Sequence, residues 1–293
     1  MKTLPAFLFL LVSVIPLAAQ RLISPGVGKY RVSDVDLIKI TKAEDARDVA
    51  PIIAMLTNVN AAVRYRAALA AGRIGDDKAI ESLIALLNDD SVDLRAMAAF
   101  AIGEVESAKG SEAIIKLLDD SKTPDAVKAR AAEAAGKIAA ANPRDARSKD
   151  LGDAVLDVLD AELGKGDKAY RETILLGITA VLRARPNEGD LVTSKFLASK
   201  DARIRADAAN TLTRLRSKNA NAALRAMLAN DADGNARANA ARALGAAEDK
   251  AAVDLMLDAA TRDADSRVRV SAIRSIATLK DIKAVDRLLE HGN

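Results

Sequence analysis

The sequence predicts an all-α fold, a right-handed α-solenoid of about seven helix pairs followed by a terminal helix. Three observations predict it: a twelve-residue segment recurs along the chain, its apolar positions follow helical spacing, and apolar residues make up 50% of the sequence while aromatic residues make up only 2%. Internal repeats of this kind are typical of solenoids. A core with so few aromatic side chains must consist of Ala, Leu, Ile and Val, which allow helices to pack closely.

The first 19 residues predict a secretory signal peptide. Lys2 precedes an apolar run over 4–17, and the small residues Ala18 and Ala19 come before Gln20. This basic, apolar and small-residue order is typical of such signals. The run is too short for a membrane span, which needs roughly 20 residues. We therefore expect cleavage after Ala19, or after Ala18, then export to the periplasm or the extracellular space and no stable membrane insertion of the mature chain.

Residues 20–43 form a leader segment ahead of the repeats. Pro25, Gly26 and Gly28 interrupt regular structure in its first part. A short capping helix is predicted from Ser33 to Lys42. We expect its apolar side chains to cover the first repeat: Val35, Leu37, Ile38 and Ile40.

The repeat array is predicted over residues 44–293. The segment from Val63 to Ile74 is the template, and similar segments begin at Leu94, Val127, Tyr170, Ile204, Ala236 and Val268. The steps between starts are 31, 33, 43, 34, 32 and 32 residues. Only the region near 141–169 has irregular spacing, so one structural unit is reused along the chain.

Individual template positions have a physical meaning. The residue after each start is Arg or Lys, and the residue nine positions after it is small, which lets neighbouring helices approach. Positions four, seven, eight and eleven after the start are apolar or small and share one helix face. Pro124 stands three residues before the third start. The other units have a helix-capping residue there, namely Asn60, Ser91, Asp167, Asp201, Asp233 and Asp265.

Each recurring segment is interpreted as the second helix of a pair, because another apolar segment precedes it. The predicted first helices are 46–56, 79–87, 112–118, 154–163, 190–197, 220–228 and 251–259. Residues 281–292 predict the terminal helix, with Ile282, Val285, Leu288 and Leu289 on one face. This helix either caps the last pair by turning that face inward or begins a pair that continues beyond Asn293.

The string Val-Arg-x-x-Ala-Ala-x-Ala-Leu/Ala-Gly, preceded by Asp or Asn, resembles bacterial short HEAT-like repeats, whose relatives include the phycobilin-lyase type. The resemblance covers roughly residues 44–290 and implies the HEAT fold. It also implies a ladder in which the Arg of one unit pairs with an Asp of a neighbour, so four arginines are expected to be structural: Arg64, Arg205, Arg237 and Arg269. More narrowly, segments 44–48 and 63–69 resemble the HEAT portion of exported bacterial proteins that can carry a cyclophilin-type prolyl isomerase domain. The sequence contains no such domain.

Composition argues against catalysis and metal binding. The chain has no cysteine and one histidine, His291, so thiol catalysis, thiolate zinc sites and a Ser-His-Asp triad are excluded. The iron site of HEAT-type deoxyhypusine hydroxylases needs several His and Glu ligands and cannot be formed with one histidine. The pairs Asp89-Asp90 and Asp119-Asp120 are interpreted as solvated turn residues and not as calcium ligands. We expect no enzyme activity, no cofactor and no metal.

The charge balance bears on the kind of partner. The formal charge is +3 with 29% charged residues, and no basic stripe is evident. This balance predicts a solvated surface and does not favour nucleic-acid binding. A protein or peptide partner is therefore expected, of a kind that the sequence does not identify.

The concave face of the solenoid, formed by the second helices, is the predicted binding surface. Its outward positions lie two, three, six and ten residues after each start. The predicted partner-binding residues are Tyr65, Arg66, Leu69, Arg73, Met97, Phe100, Glu104, Arg214, Arg242 and Arg274, with Asn210, Asn239 and Val270 on the same face. The alternative for Leu69 and Phe100 is packing between units.

The functional hypothesis is a non-catalytic protein-interaction scaffold exported from a bacterial cell. The alternative is an accessory HEAT module of an envelope enzyme, such as a cyclophilin-type prolyl isomerase, whose catalytic domain is absent from this sequence.

Overall fold

The computed structural model describes residues 34–280 together with Asp286, Arg287 and Leu289. Over residues 34–280 the chain forms fifteen α-helices joined by short turns, and no residue there is in a β-strand. The helices are α1 Asp34–Asp45, α2 Val49–Met55, α3 Ala61–Ile74, α4 Ile80–Leu86, α5 Val92–Val105, α6 Ser111–Asp119, α7 Asp125–Ala141, α8 Arg147–Lys165, α9 Arg171–Ala184, α10 Gly189–Lys195, α11 Ala202–Leu215, α12 Asn221–Asn230, α13 Gly234–Ala246, α14 Val253–Arg262 and α15 Ser266–Thr278.

The helices form two layers. Each even-numbered helix packs against the odd-numbered helix that follows it, and each odd-numbered helix from α3 onward packs against the next odd-numbered one. The even helices form the second layer, and α1 packs against α2 and α3 at the start of the stack. The described residues therefore confirm the predicted α-solenoid of seven helix pairs.

The small residues predicted at the ninth template position allow the odd helices to approach closely. A Cβ atom added to Gly103 would lie 2.7 Å from the Cα atom of Ala134, and one added to Gly136 would lie 2.6 Å from the Cα atom of Ala180. These contacts are with the backbone of the next odd helix, which cannot turn away as a side chain could. Glycine at these positions therefore sets the spacing of the odd layer.

Most of the predicted helix caps are confirmed. The side chains of Asn60, Ser91, Asp201, Asp233 and Asp265 accept hydrogen bonds from backbone N–H groups in the first turns of their helices. The prediction for Asp167 is wrong, because it lies in a 3₁₀ turn and α9 begins only at Arg171. Tyr170 is the N-cap residue of α9, which has no side-chain cap, and the N–H of Tyr170 donates to the buried carboxylate of Glu162 at 2.7 Å.

The irregular step in the repeat has a simple structural cause. Helix α7 has 17 residues and α8 has 19, which makes them the longest helices of residues 34–280. The extra residues lengthen the third and fourth units and do not form a separate domain. The stacking of α7 on α9 continues through this region.

The two ends of the array differ in part from expectation. In α1, Ile40 and Ala43 are buried against the first pair, but the predicted covering residues Val35, Leu37 and Ile38 are exposed. The expected signal peptide and most of the leader lie outside the described residues. At the other end, residues 286, 287 and 289 are helical, and the 66% exposure of Leu289 does not fit the first of the two alternatives, in which the apolar face of the terminal helix turns inward. The remaining predictions for 281–292 fall outside the described residues.

None of the described helices combines the length and apolar character that a membrane crossing requires.

Candidate functional site: the odd-layer face

A ladder of arginines and aspartates joins neighbouring units at their turns. The guanidinium of Arg237 donates to both carboxylate oxygens of Asp263 at 2.8 Å and to the carbonyl of Asp231 at 2.7 Å. Arg205 contacts Asp231 in the same way at 2.7 Å, and the Nε atom of Arg64 donates to Asp89 at 2.9 Å. These arginines are structural, as predicted. Arg269 differs, because its hydrogen bonds within the described residues go only to backbone carbonyls of its own turn.

A hollow of about 610 Å³ opens on the odd-layer face, which we define as the side of the odd helices that points away from the even layer. Side chains of α3, α5 and α7 and of the beginning of α9 line it. Five of the predicted partner-binding residues lie there: Tyr65, Leu69, Arg73, Met97 and Phe100. The structure thus brings together residues that are 35 positions apart in the sequence, from Tyr65 to Phe100.

Aromatic side chains are concentrated in this hollow. Residues 34–280 contain four aromatic residues, and three of them line it: Tyr65, Phe100 and Tyr170. Phe196 is buried elsewhere, under α10 and α11. Sequence reasoning missed Tyr170 because it occupies a template start and not an outward position. The scarcity of aromatic residues was the signal that could have identified it.

Two cations lie against the ring of Phe100. The Nζ atom of Lys137 lies 4.8 Å from the ring centroid, and the guanidinium carbon of Arg130 lies 5.9 Å from it. Lys137 pairs with Glu133 at 2.7 Å and also with Glu104, while Arg130 pairs with Glu133 at 2.9 Å. Burial raises the pKa of Glu133, but the hydrogen bonds from Lys137 and Arg130 outweigh burial and lower that pKa below the ordinary value. Cation–π contacts and ion pairs therefore fix the ring and neutralise the cations.

Two predicted binding residues have structural partners and do not line the hollow. Glu104 pairs with Lys137 behind Phe100. Arg66 is half-buried and pairs with Glu44 of α1, which also accepts from Arg73 at 3.0 Å. Burial alone would raise the pKa of Glu44, but the hydrogen bonds from Arg66 and Arg73 have the larger effect. The pKa of Glu44 is therefore lowered below its ordinary value. These pairs tie α1 to α3.

The other predicted binding residues form a separate surface. Arg214 on α11, Arg242 on α13 and Arg274 on α15 are exposed and do not contribute to the hollow. The expectation that Asn239 points outward is wrong. Its side chain is buried between α11 and α13 and donates to the carbonyl of Ala206 at 2.7 Å. The odd-layer face thus has an aromatic hollow over α3 to α9 and a row of arginines over α11 to α15.

In the part of the chain that the structure describes, no group of three or more His, Asp or Glu side chains is placed to hold a metal ion.

The stack of helix pairs and the ladder at its turns are the features of an α-solenoid repeat protein. A family model of HEAT repeats matches residues 37–95, 80–172, 189–277 and 221–292. The chain therefore belongs to the HEAT repeat family. Among curated proteins, none matches its sequence.

Solved structures share the fold at low sequence identity. An engineered protein is 24% identical, with a TM-score of 0.53 over 83% of this chain and 70% of its own. The complex of CpcE and CpcF of phycocyanin lyase from Nostoc sp. PCC7120 is 21% identical, with a TM-score of 0.51 over 83% of this chain and 94% of its own. YibA of Escherichia coli is 15% identical, with a TM-score of 0.61 over 89% of this chain and 93% of its own. At these identities the similarity shows the fold alone.

Proposed function

We propose that this protein is an exported, non-catalytic scaffold that binds a protein partner on the concave face of its solenoid, with the aromatic hollow as the anchor site. The observation that carries the proposal is the convergence of Tyr65, Phe100 and Tyr170 on one hollow. Aromatic residues dominate the energetics of protein interfaces, and here they come from separate units of a chain that otherwise builds its core from small residues.

The geometry supports assigning the concave face to the odd layer. Arg130 of α7 lies 5.9 Å from the ring centroid of Phe100 in α5, and both residues line the same hollow as Tyr65 of α3. Side chains from the helices on either side of α5 therefore meet in one hollow. Such an approach is expected where the odd layer curves inward.

The chemistry of the hollow favours an apolar anchor. Leu69, Met97 and Phe100 form its apolar part, and burial raises the pKa of Tyr65, which keeps that phenol neutral. At the rim, Arg130 is neutralised by Glu172 at 2.8 Å. An apolar or aromatic side chain of the partner would bury its surface here at about 25 cal/mol per Å². The internal pairing of the charges supports a binding role and not acid–base chemistry.

The test is a Phe100→Glu variant. The substitution removes the apolar ring and places a carboxylate within reach of Lys137 and Arg130, whose charges are already shared with Glu104, Glu133 and Glu172, so the fold of this variant is measured separately. The matched control is Val59→Glu, which removes a 98% exposed apolar residue from the turn before α3. We expect Phe100→Glu to reduce capture of the partner from envelope extract about tenfold or more, the loss typical of an anchor residue, and the control to leave it unchanged.

Thermal unfolding by circular dichroism separates binding from stability. Unchanged capture by a folded Phe100→Glu variant would exclude the hollow as the anchor. If the variant is unstable, Tyr65→Ser provides the second measurement, because Tyr65 lines the same hollow outside the ion-pair cluster.

Export is the second part of the proposal and rests on the basic, apolar and small-residue order of residues 1–19. Intact mass spectrometry of protein recovered from the envelope fraction should show an N-terminus at Gln20, or at Ala19. Retention of Met1 would contradict export by this signal.

A further inference from the structure

The arginines of the last three helix pairs fall into three groups. In the first group each guanidinium pairs with a carboxylate: Arg203 with Asp207, Arg205 with Asp231, Arg225 with Asp249, Arg237 with Asp263, Arg262 with Asp258 and Arg267 with Asp265. In the second group, Arg269 donates only to backbone carbonyls of its own turn, and Arg216 is the C-terminal cap residue of α11. The third group, which we call the arginine row, consists of Arg214, Arg242 and Arg274 at outward positions of α11, α13 and α15. Within the described residues no carboxylate pairs with any member of the row, and Arg242 makes hydrogen bonds only to neutral oxygens of its own helix, on Ala238 and Asn239.

The row lies on the odd-layer face. Arg214 occupies template position ten, while Arg242 and Arg274 occupy position six. The residues at these positions of α3 are Arg73 and Leu69, and both line the aromatic hollow. Positions six and ten are one helical turn apart and share a face. One exposed arginine per odd helix therefore continues the face that holds the hollow.

The surface around the arginine row is positively charged because the helices that form it contain almost no acidic residues. Helices α13 and α15 contain no acidic residue at all. In α11 the only acidic residue is Asp207, which pairs with Arg203 at 2.7 Å. A guanidinium that a nearby carboxylate does not satisfy is free to bind an external carboxylate with two parallel hydrogen bonds.

The spacing of the row suits an extended chain. Adjacent packed helices have axes about 8–10 Å apart, and Gly245 packs directly against Ser275 of the next odd helix. A peptide in the extended polyproline II conformation advances about 3.1 Å per residue with three residues per turn, so every third side chain lies about 9 Å further on and on the same side of the peptide. Acidic side chains at every third position would each meet one arginine of the row, and the length of the arginine side chain covers the one-turn offset of Arg214.

We propose that the arginine row binds an extended acidic segment of a protein partner, with Asp or Glu at about every third residue. This inference specifies the kind of partner for the proposed scaffold, and it rests on the proposed function for the choice of the odd-layer face as the binding surface. A protein segment is favoured over single-stranded nucleic acid because such binding needs aromatic stacking, and α11, α13 and α15 contain no aromatic residue.

The test uses two labelled peptides of equal composition in a Ser/Thr background. One has Glu at every third position, and the other has the same Glu residues in one block. Fluorescence anisotropy should show binding of the spaced peptide with a steep salt dependence, and an affinity at least about threefold weaker for the blocked peptide. Equal affinity for both peptides would overturn the proposed spacing of the acidic residues. Tighter binding of a single-stranded oligonucleotide than of the spaced peptide would overturn the choice of a protein segment as the ligand.

The variant series locates the site. Replacing Arg214, Arg242 and Arg274 together with Gln should weaken binding of the spaced peptide about tenfold, since each exposed charge contact contributes modestly. The control Arg262→Gln removes an 80% exposed cation from α14 of the even layer and should have no effect. An equal loss in the control, or no loss in the triple variant, would refute the row.

Phe100→Glu distinguishes this inference from the proposed anchor. It should leave peptide binding unchanged, because Phe100 lies on α5, away from the row. If the peptide does not bind while Phe100→Glu still reduces capture of the partner, the row is refuted and the anchor stands. If the peptide binds through the row while Phe100→Glu leaves capture unchanged, the anchor is refuted and the row stands.

Discussion

Removing one arginine of the ladder should destabilise the array locally and strongly. Arg237→Met keeps most of the side-chain volume but removes both hydrogen bonds to Asp263 and the bond to the Asp231 carbonyl. The side chains of Arg237 and Asp263 are only 16% and 10% exposed. The carboxylate of Asp263 would keep the 2.8 Å bond from the Asp265 N–H but lose its counter-ion.

The size of the effect follows from this geometry. Breaking a buried ion pair costs about 3–5 kcal/mol, and a hydrogen bond to a charged group contributes about 1.5–3 kcal/mol. The pair lies just below the surface, where water can partly compensate, so we expect a loss of about 2–4 kcal/mol at pH 7. Because solenoid units contact only their neighbours, the loss should be concentrated in the last two pairs.

The pH dependence gives a second signature. The hydrogen bond from Arg237 lowers the pKa of Asp263 below its ordinary value. A carboxylate with a lowered pKa in the folded state stabilises the fold fully above its unfolded pKa, near 3.9, and the stabilisation disappears as the pH falls through the lowered value. The difference in unfolding free energy between wild type and Arg237→Met should therefore shrink as the pH falls below about 4.

Urea denaturation and hydrogen exchange measure both effects. The matched control is Arg214→Met, an exposed arginine of the row without a carboxylate partner among the described residues, and we expect a change of no more than about 0.5 kcal/mol. Equal effects of the two variants would refute the division into structural and free arginines. A difference between wild type and Arg237→Met that does not shrink at all as the pH falls below about 4 would refute the role of the Asp263 charge.

Two further predictions concern packing and capping. Gly136→Ala should destabilise the protein by about 1–3 kcal/mol because the new Cβ atom would meet the backbone of Ala180, whereas Gly164→Ala, with open space around it in α8, should stabilise by about 0.5–1 kcal/mol. Calorimetry should show melting temperatures that move in opposite directions, and a shift of the same sign in both would refute the close-approach account. Glu162→Leu should cost about 1–3 kcal/mol because it leaves the Tyr170 N–H without its acceptor. Hydrogen exchange should then accelerate at the Tyr170 N–H and at the start of α9, and unchanged exchange there would show that Glu162 does not hold this end of the helix.

The repeat predicted the fold well because one local pattern specifies a whole unit. The start positions, the small ninth residue and the capping residues are all local signals, and the helix pairs follow from them. The failures occurred where the spacing was irregular. Asp167 had the composition of a cap, but the longer α8 moved the start of α9 beyond it and required a buried acceptor, Glu162, from the preceding helix.

The candidate site was less predictable because it depends on contacts between units. Template positions identified Tyr65, Met97 and Phe100 as outward, but they could not show that Glu104 pairs with Lys137 of the next odd helix. The burial of Asn239 depends on its reach to a backbone carbonyl of α11, which a single-helix pattern does not contain. Whether the predicted residues bind a partner remains a prediction.

Photo-crosslinking from defined positions tests most directly whether the odd-layer face binds the partner. A photoreactive phenylalanine analogue replaces Tyr65 in the hollow or Glu81, which is exposed on α4 of the even layer. Crosslinking in intact cells followed by mass spectrometry identifies what lies against each position. We expect one protein partner to crosslink strongly from Tyr65 and at least about tenfold less from Glu81, because a single face of the solenoid anchors it. Equal crosslinking from both faces, or none from Tyr65 in a correctly folded protein, would contradict the claim that the odd-layer face binds the partner.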